Sequence, residues 1–221
     1  VVFAQWADDK LAAALATWSA DRTAVPAHGN APAAHLERGR AAEIQGRYAD
    51  ARRAYLAALG GTLAGRHVLH VGIGRIAMVE GGLDAAIEAF GHAVRLHPND
   101  PVIHRELAGA YAAAGRSDEA FAELVAALLI DPRDVAAMAA VGQLFLDADR
   151  ATEAIAVLTR ALELNPDRLE TRYALAVALT RAGRADEAGR RFAEFERMSG
   201  QASDERRREV TGQAGPNGAA R

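Results

Sequence analysis

Apolar residues recur at three- and four-residue intervals through most of the chain, which predicts amphipathic helices rather than strands. Short turns separate the helical stretches, and four of them contain glycine: Gly46-Arg47, Gly81-Gly82, Gly115-Arg116 and Gly183-Arg184. A further turn carries Asp149-Arg150. Glycine supplies the positive φ that ends a helix, and Ser117 is placed to cap the helix that follows its turn. The pattern therefore predicts a series of short antiparallel helix pairs.

The helix pairs repeat along the chain with a fixed period. Pro98, Pro132 and Pro166 lie 34 residues apart. Side-chain size keeps the same step, with alanines at 86, 120, 154 and 188, alanines at 93, 127 and 161, and large residues at 90, 124, 158 and 192. An earlier copy, offset by 35 residues, contains Tyr55 and Ala58. Five copies are predicted, beginning near residues 32, 67, 101, 135 and 169.

A 34-residue helix–turn–helix unit with small residues at positions 8, 20 and 27, a large residue at 24 and proline at 32 resembles the tetratricopeptide repeat (TPR) of bacterial arrays. Copy one lacks the proline, and copy five has Phe195 at position 27 and Gly200 at position 32. The resemblance implies an all-α fold: an α-solenoid, or right-handed superhelix, of about five units. The predicted array covers residues 32–200, with repeats near 32–66, 67–100, 101–134, 135–168 and 169–200.

Both ends of the chain lie outside the predicted array. Residues 1–31 are predicted as an N-terminal helix and linker, in which Trp6 and Trp18 share one side of the helix and either cap the first repeat or contact a partner. Residues 201–221 are predicted as a charged helix and a disordered tail. The small-residue spacing of Val2-Phe3-Ala4-Gln5 resembles a signal-peptidase site, so this end is either the tail of an export signal or the start of a fragment or trimmed form. The compartment stays open between cytoplasm and periplasm.

Composition and motifs argue against several classes of site and partner. The chain has no cysteine, and its net charge of −3 offers no basic footprint for nucleic acid. No apolar run reaches the length of a membrane span, so direct membrane insertion is not expected. His35, His70 and His104 share position 4 of successive copies, but packed helices hold such positions about 10 Å apart, too far to share a metal. Neither a cofactor nor catalytic activity is predicted.

The stretch VLHVGIGRIA at 68–77 has the apolar run and glycine spacing of a dinucleotide-binding loop. No second strand follows, and the acidic residue expected about 20 residues later is missing. Gly74 instead falls at position 8 of the second copy, where a small residue lets two helices cross closely. Gly72 is not required by the repeat. By its position it is expected to face the groove and leave room for a ligand beside Arg75.

In TPR arrays the first helices line a concave groove, so the resemblance also implies where a partner binds. Eight candidates follow: Leu36, Arg40, Val71, Arg75, Met78, Arg105, Gln143 and Tyr173. The arginines are either donors to a bound peptide or solvated and paired with neighbouring glutamates such as Glu37 and Glu106. The predicted function is a non-catalytic scaffold or adaptor that binds a protein or peptide. A structural subunit packed through its N-terminal helix, or a non-catalytic segment of a longer enzyme chain, remains an alternative.

Overall fold

The computed structural model describes residues 32–60 and 65–211, with side chains to residue 201. These residues form ten helices and no strand: α1 (Pro32–Ile44), α2 (Tyr48–Leu59), α3 (Arg66–Val79), α4 (Leu83–Leu96), α5 (Pro101–Ala113), α6 (Ser117–Ile130), α7 (Val135–Asp147), α8 (Ala151–Leu164), α9 (Leu169–Arg181) and α10 (Ala185–Thr211). The predicted all-α class of an α-solenoid is confirmed. The predicted N-terminal helix with Trp6 and Trp18, the export site and the tail after 211 lie outside the described residues.

The chain divides into two compact units between Ile76 and Ala77, inside α3. In the first unit, α1, α2 and most of α3 share one core, which contains Ala51, Tyr55 and Leu69. In the second unit, α5 pairs with α6, α7 with α8, and α9 with α10, and α4, α6 and α8 each contact the first helix of the following pair. Alanines such as Ala127 and Ala154 are fully buried at these contacts, so neighbouring backbones approach closely.

The size of the Tyr55 ring explains why two helical positions of the first unit have glycine. Its ring is 2% exposed, and a Cβ built on Gly39 of α1 would lie 2.3 Å from Tyr55 Cε1. A Cβ built on Gly72 of α3 would lie 2.5 Å from Tyr55 Cε2. The expectation that Gly72 faces the groove and leaves room for a ligand beside Arg75 is therefore wrong. Gly72 is buried, and the space beside it is filled by the phenol ring.

The turns between paired helices end the first helix in the same way. In the third copy Gly115 has φ 73°, its N–H donates to the Ala112 carbonyl, and the next N–H, of Arg116, donates to the Tyr111 carbonyl. These two bonds define a Schellman motif. The prediction that Ser117 caps α6 is wrong, because Arg116 holds the cap position without a side-chain bond and Ser117 is already helical.

The last helix extends well beyond the length of the others. α10 runs for 27 residues and continues through Gly200, where the repeat pattern expects proline. The charged segment at 203–210 is therefore the end of α10. The absence of proline permits this continuation, because an interior glycine costs a helix only about 1 kcal/mol relative to alanine.

The Tyr55 contact predicts opposite effects for one substitution at two helical glycines. Gly72→Ala places a methyl group against the ring, so we expect the free energy of unfolding to fall by about 1–3 kcal/mol. At Gly109, in α5, a Cβ meets nothing within 4 Å. Gly109→Ala should raise the free energy of unfolding by about 1 kcal/mol, because alanine favours the helix. Urea unfolding of both variants tests this, and effects of equal sign would contradict the Tyr55 account.

Asp149 gives a second stability test, because it adopts φ 57° where the equivalent turns have glycine. Asp149→Gly relieves the left-handed conformation, and we expect a gain of about 0.5 kcal/mol in the free energy of unfolding. Asp149→Val should lower that free energy by about 1–2 kcal/mol, since a β-branched residue tolerates positive φ poorly. Thermal unfolding of the wild type and of both variants measures their order of stability. Equal stability of the glycine and valine variants would mean that the turn does not hold this residue left-handed.

Candidate functional site

The second unit contains an apolar pocket of about 760 Å³ between α7, α9 and α10. Its apolar lining comes from Leu146, Leu169, Tyr173, Ala174, Val177 and Phe195. Gln143, Glu170, Arg181 and Ser199 add polar groups. Pockets of this size with a few polar groups are the usual shape of sites that bury a ligand or a side chain.

Three aromatic rings pack together at this pocket, and two of them, Tyr173 and Phe195, line it. Tyr173 is 50% exposed, and its ring centroid lies 5.8 Å from that of Phe192 and 5.4 Å from that of Phe195. Phe195 occupies the repeat position where the preceding copies have a small residue, so it enlarges the wall that α10 presents to the pocket. An exposed tyrosine supported by two packed phenylalanines is a rigid contact surface of the kind that contributes strongly to protein binding.

A second cavity of about 350 Å³ adjoins the apolar pocket, and Gln143 lines both. Small residues from two first helices form much of it: Gly109 and Ala112 of α5, and Ala136 and Ala140 of α7. We call this cavity the small-residue channel, and the channel and pocket together the second-unit groove. Where Gly109 and the alanines line the channel, a ligand backbone can approach the helices closely.

The channel has a charged rim with one unsatisfied donor. Arg105 Nε donates to Asp134 Oδ2 at 2.8 Å, and Gln143 Nε2 donates to Asp147 Oδ1 at 2.7 Å. Arg168 also lines the channel, and its Nε is buried without a hydrogen-bond partner among the described residues. A buried donor without a partner costs free energy, so this atom lowers the stability of the fold.

Some polar side chains of the apolar pocket already have hydrogen-bond partners within the protein. Arg181 Nη1 donates to the backbone carbonyl of Leu146, which ties α9 to α7. Tyr173, which lines the same pocket, is half exposed. The second-unit groove thus has the apolar pocket at one end and the small-residue channel with its charged rim at the other, and Gln143 lies between them.

Comparison with known families identifies the fold. A tetratricopeptide repeat model matches residues 77–144 and 145–194, which together make up more than half of the chain. A second tetratricopeptide repeat model matches residues 4–64. The chain belongs to the tetratricopeptide repeat family. The second match begins within the N-terminal segment that the 34-residue pattern leaves outside the array.

Solved structures of TPR proteins resemble this chain over most of its length. A crystal structure of MamA has a TM-score of 0.69 at 18% identity and covers 80% of this chain and 96% of that one. A thermophilic TPR protein from Thermus thermophilus has a TM-score of 0.61 at 24% identity, covering 82% and 98%. A TPR protein from Parabacteroides merdae has a TM-score of 0.68 at 21%, covering 74% and 65%. No curated protein matches the chain.

The TPR fold is that of a protein-interaction scaffold, and the predicted partner-binding residues divide between the two units. In the second unit Arg105, Gln143 and Tyr173 line the groove. Met78 is in the last turn of α3 and is not among the residues that line the pocket or the channel. Gln143 and Tyr173 thus line one pocket, and their role in partner binding stays a prediction.

The remaining predicted residues lie in the first unit. Leu36 packs against the core around Tyr55, and Val71 is half-buried on α3. Arg40 pairs with Glu37 at 3.2 Å, as the solvated alternative expected. Arg75 is exposed on α3.

Tyr55 connects the first-unit arginines to the core. Its hydroxyl donates to Glu43 Oε2 at 2.6 Å. Burial, followed by the hydrogen bond to Glu43, raises the pKa of Tyr55, while the guanidinium groups of Arg40 and Arg75 oppose the rise. The hydroxyl therefore stays protonated, and the buried ring ends in a polar group beside the two arginines.

Several groove residues were not predicted from the sequence. Arg168 lies just before α9, outside the repeat positions that point to the groove. Phe195 and Ser199 belong to a second helix, where groove residues were not sought. The available signal for Phe195 was its departure from the small residue at position 27.

Two other features concern metals and membranes. The described residues contain no group of three or more His, Cys, Asp or Glu side chains placed to hold a metal ion. Within the same residues no helix combines the length and apolar character that a membrane span requires.

Arg168 gives a test that separates binding from stability. Arg168→Met removes the unpartnered donor, so we expect the free energy of unfolding without ligand to stay unchanged or rise by about 1 kcal/mol. Binding of a groove ligand should weaken, because the channel loses a charged lining residue. Urea unfolding and peptide titration of the same variant measure the two effects. A loss of stability without a loss of binding would make Arg168 a structural residue.

Proposed function

We propose that this chain is a non-catalytic scaffold that binds an extended segment of a partner protein in the second-unit groove. The observation that carries the proposal is that Gln143 lines both cavities, which places the channel beside the apolar pocket. TPR proteins are typically non-catalytic scaffolds, which agrees with this assignment.

The apolar pocket supports anchoring by a large apolar side chain. Its volume lies within the range of about 300–1,000 Å³ that is usual for binding sites. Leu146, Val177 and Phe195 supply apolar surface, and Tyr173 supplies an aromatic face with a hydroxyl. Burial of an aromatic or long aliphatic side chain there would remove apolar area from water on both partners, at about 25 cal/mol per Å².

The channel supports contact with the partner's backbone. A bound backbone presents carbonyl acceptors, and Arg105 and Arg168 both line the channel. Arg105 is held toward the N-terminus of α7 by Asp134, which also accepts from the Ala136 and Ala137 N–H groups. The arginine is thereby fixed at the channel without ordering upon binding, which lowers the entropy cost of recognition.

A matched pair of glycine substitutions tests the proposal. Gly109 lines the channel and Gly189 is exposed on α10 outside both cavities, and a Cβ at either meets nothing within 4 Å. Gly109→Leu should fill the channel with folding intact, whereas Gly189→Leu adds the same side chain elsewhere. The probe is a set of twelve-residue peptides selected from a random displayed library on the full chain.

We expect Gly109→Leu and Tyr173→Ala each to weaken the selected peptides by about tenfold or more, equivalent to about 1.4 kcal/mol. Gly189→Leu should leave their affinity unchanged, and circular dichroism should show equal helicity in all variants. We also expect the selected peptides to share a large apolar residue. Selected peptides that bind the Gly109→Leu and Tyr173→Ala variants as tightly as the wild type would rule out the second-unit groove as the binding site.

A further inference from the structure

Five charged side chains line the second-unit groove, and they differ in whether the protein itself supplies a partner. Three of them form hydrogen bonds within the fold: Arg105, Asp147 and Arg181. The side chains of the other two, Arg168 and Glu170, form no hydrogen bond or ion pair among the described residues. The groove therefore presents one guanidinium and one carboxylate to which no described side chain is paired.

Arg168 stands where the two preceding first helices have an aspartate. Asp100 precedes α5 and Asp134 precedes α7, and each accepts at least one hydrogen bond from a backbone N–H of the first helical turn. Arg168 holds the same repeat position before α9 and makes no side-chain bond to that helix. The start of α9 thus carries a positive side chain where the starts of α5 and α7 carry a capping carboxylate.

The residue that could have paired with Arg168 is also missing. At the preceding junction between repeats, Arg105 Nε donates to Asp134 Oδ2. At the next junction the residues in these two repeat positions are Ala139 and Arg168. An arginine has therefore replaced the acid of the pair, and an alanine has replaced the cation. The pair is lost, and the remaining charge lines the channel.

Two neighbouring carboxylates do not compensate this charge by a direct contact. Asp147 lines the channel, and its Oδ1 accepts from Gln143. Asp167 directly precedes Arg168 in the chain and is exposed. Neither forms an ion pair with Arg168 among the described residues. The guanidinium is thus open to a carboxylate from outside the chain.

The end of α9 strengthens the preference of this place for an anion. The N-terminus of an α-helix carries a partial positive charge, which a nearby anion stabilises. In α5 and α7 the capping aspartate supplies that anion, whereas in α9 the charge of Arg168 adds to the positive end. A carboxylate in the channel beside Arg168 would interact favourably with the guanidinium and with the helix end.

We propose that the small-residue channel recognises an acidic side chain of the bound segment at Arg168, while a large apolar residue of the same segment occupies the apolar pocket. This inference rests on the proposed function and names the chemistry of the partner. Leu169, the next residue, lines the pocket, so the two contacts lie close together. Since an extended chain advances about 3.3 Å per residue, the acidic residue is expected within about three residues of the apolar one.

Glu170 favours a basic residue in the partner, but its surroundings make it the weaker of the two unpaired charges. Its carboxylate lies in the first turn of α9, where the helix end already stabilises a negative charge. It is also exposed, so water and salt screen its interactions. Arg168 is half-buried and lies against a helix end of its own sign, so it gains more from a counter-charge.

Peptides selected on the full chain from a random displayed library of twelve-residue sequences test this preference. We expect Asp or Glu within about three residues of their large apolar residue. Each selected sequence is synthesised with an acetylated N-terminus and an amidated C-terminus, so that no terminal carboxylate contributes. A second peptide has Asn or Gln in place of the acidic residue. The wild type should bind the amide peptide about tenfold more weakly than the acidic one.

Two variants with the same change of charge locate the preference. Arg168→Asp introduces the residue that caps α5 and α7, so it should fold, and it should bind the acidic peptide no more tightly than the amide peptide. Arg133→Asp makes the matched change just before Asp134, at an exposed residue outside both cavities, and should keep the tenfold preference. If Arg168→Asp does not fold, Arg168→Gln removes the charge and should abolish the preference.

The outcomes separate this inference from the proposed binding site. An undiminished acid preference in the Arg168 variant, or selected peptides enriched in basic rather than acidic residues, would overturn the inference. The groove would still stand if Gly109→Leu and Tyr173→Ala weaken the same peptides. Peptides that bind both of those variants as tightly as the wild type would overturn the groove and the inference together.

Discussion

The helix pairs depend on one steric constraint, the fit of a large side chain on the second helix into a space left by a small residue on the first. A Cβ on Gly142 would lie 2.5 Å from Leu158 Cδ2, and one on Gly39 would lie 2.3 Å from the Tyr55 ring. In the third copy Ala108 and Leu124 share one core cluster. The small residue sets how closely the two axes approach, and the large residue fills the volume, so neither is independently replaceable. Buried alanines then bring successive pairs into contact.

This constraint explains why the fold could be predicted from the sequence while Gly72 could not be placed. Small and large residues at a 34-residue spacing specify helix pairs whatever the remaining surface is. The role of Gly72 depends instead on the size of one ring: Tyr55 fills the space between α1 and α3 and takes up the room that the repeat position assigned to the groove. The surroundings of Gly72 are decided by the volume of the Tyr55 side chain on a neighbouring helix. The order of apolar and polar residues along α3 alone carries no information about that volume.

In the second-unit groove, too, residues at repeated positions could be predicted and residues that differ between copies could not. Gln143 and Tyr173 were predicted as partner-binding residues because they occupy positions that the TPR resemblance assigns to the concave side, and both line the apolar pocket. Arg168 and Phe195 were missed because they depart from what the repeat specifies. A repeat pattern describes what the copies share in order to pack, whereas recognition needs residues that differ between copies. Departures such as a phenylalanine at an alanine position are therefore where a binding surface is best sought in a repeat protein.

Polar contacts at the junctions of the second unit add something that the alanine packing cannot provide. Packing of small against large residues is nearly the same in each copy, so it does not determine which copy follows which. The polar contacts differ: the His104 ring contacts the Pro98 carbonyl at one junction, Arg105 pairs with Asp134 at the next, and Arg172 donates to the Pro166 carbonyl at the last. A charged group buried at a mismatched junction would lose its partner, which costs more than the paired contact contributes. The polar pairs therefore act against misordered stacking of similar repeats, while the apolar contacts supply most of the stability.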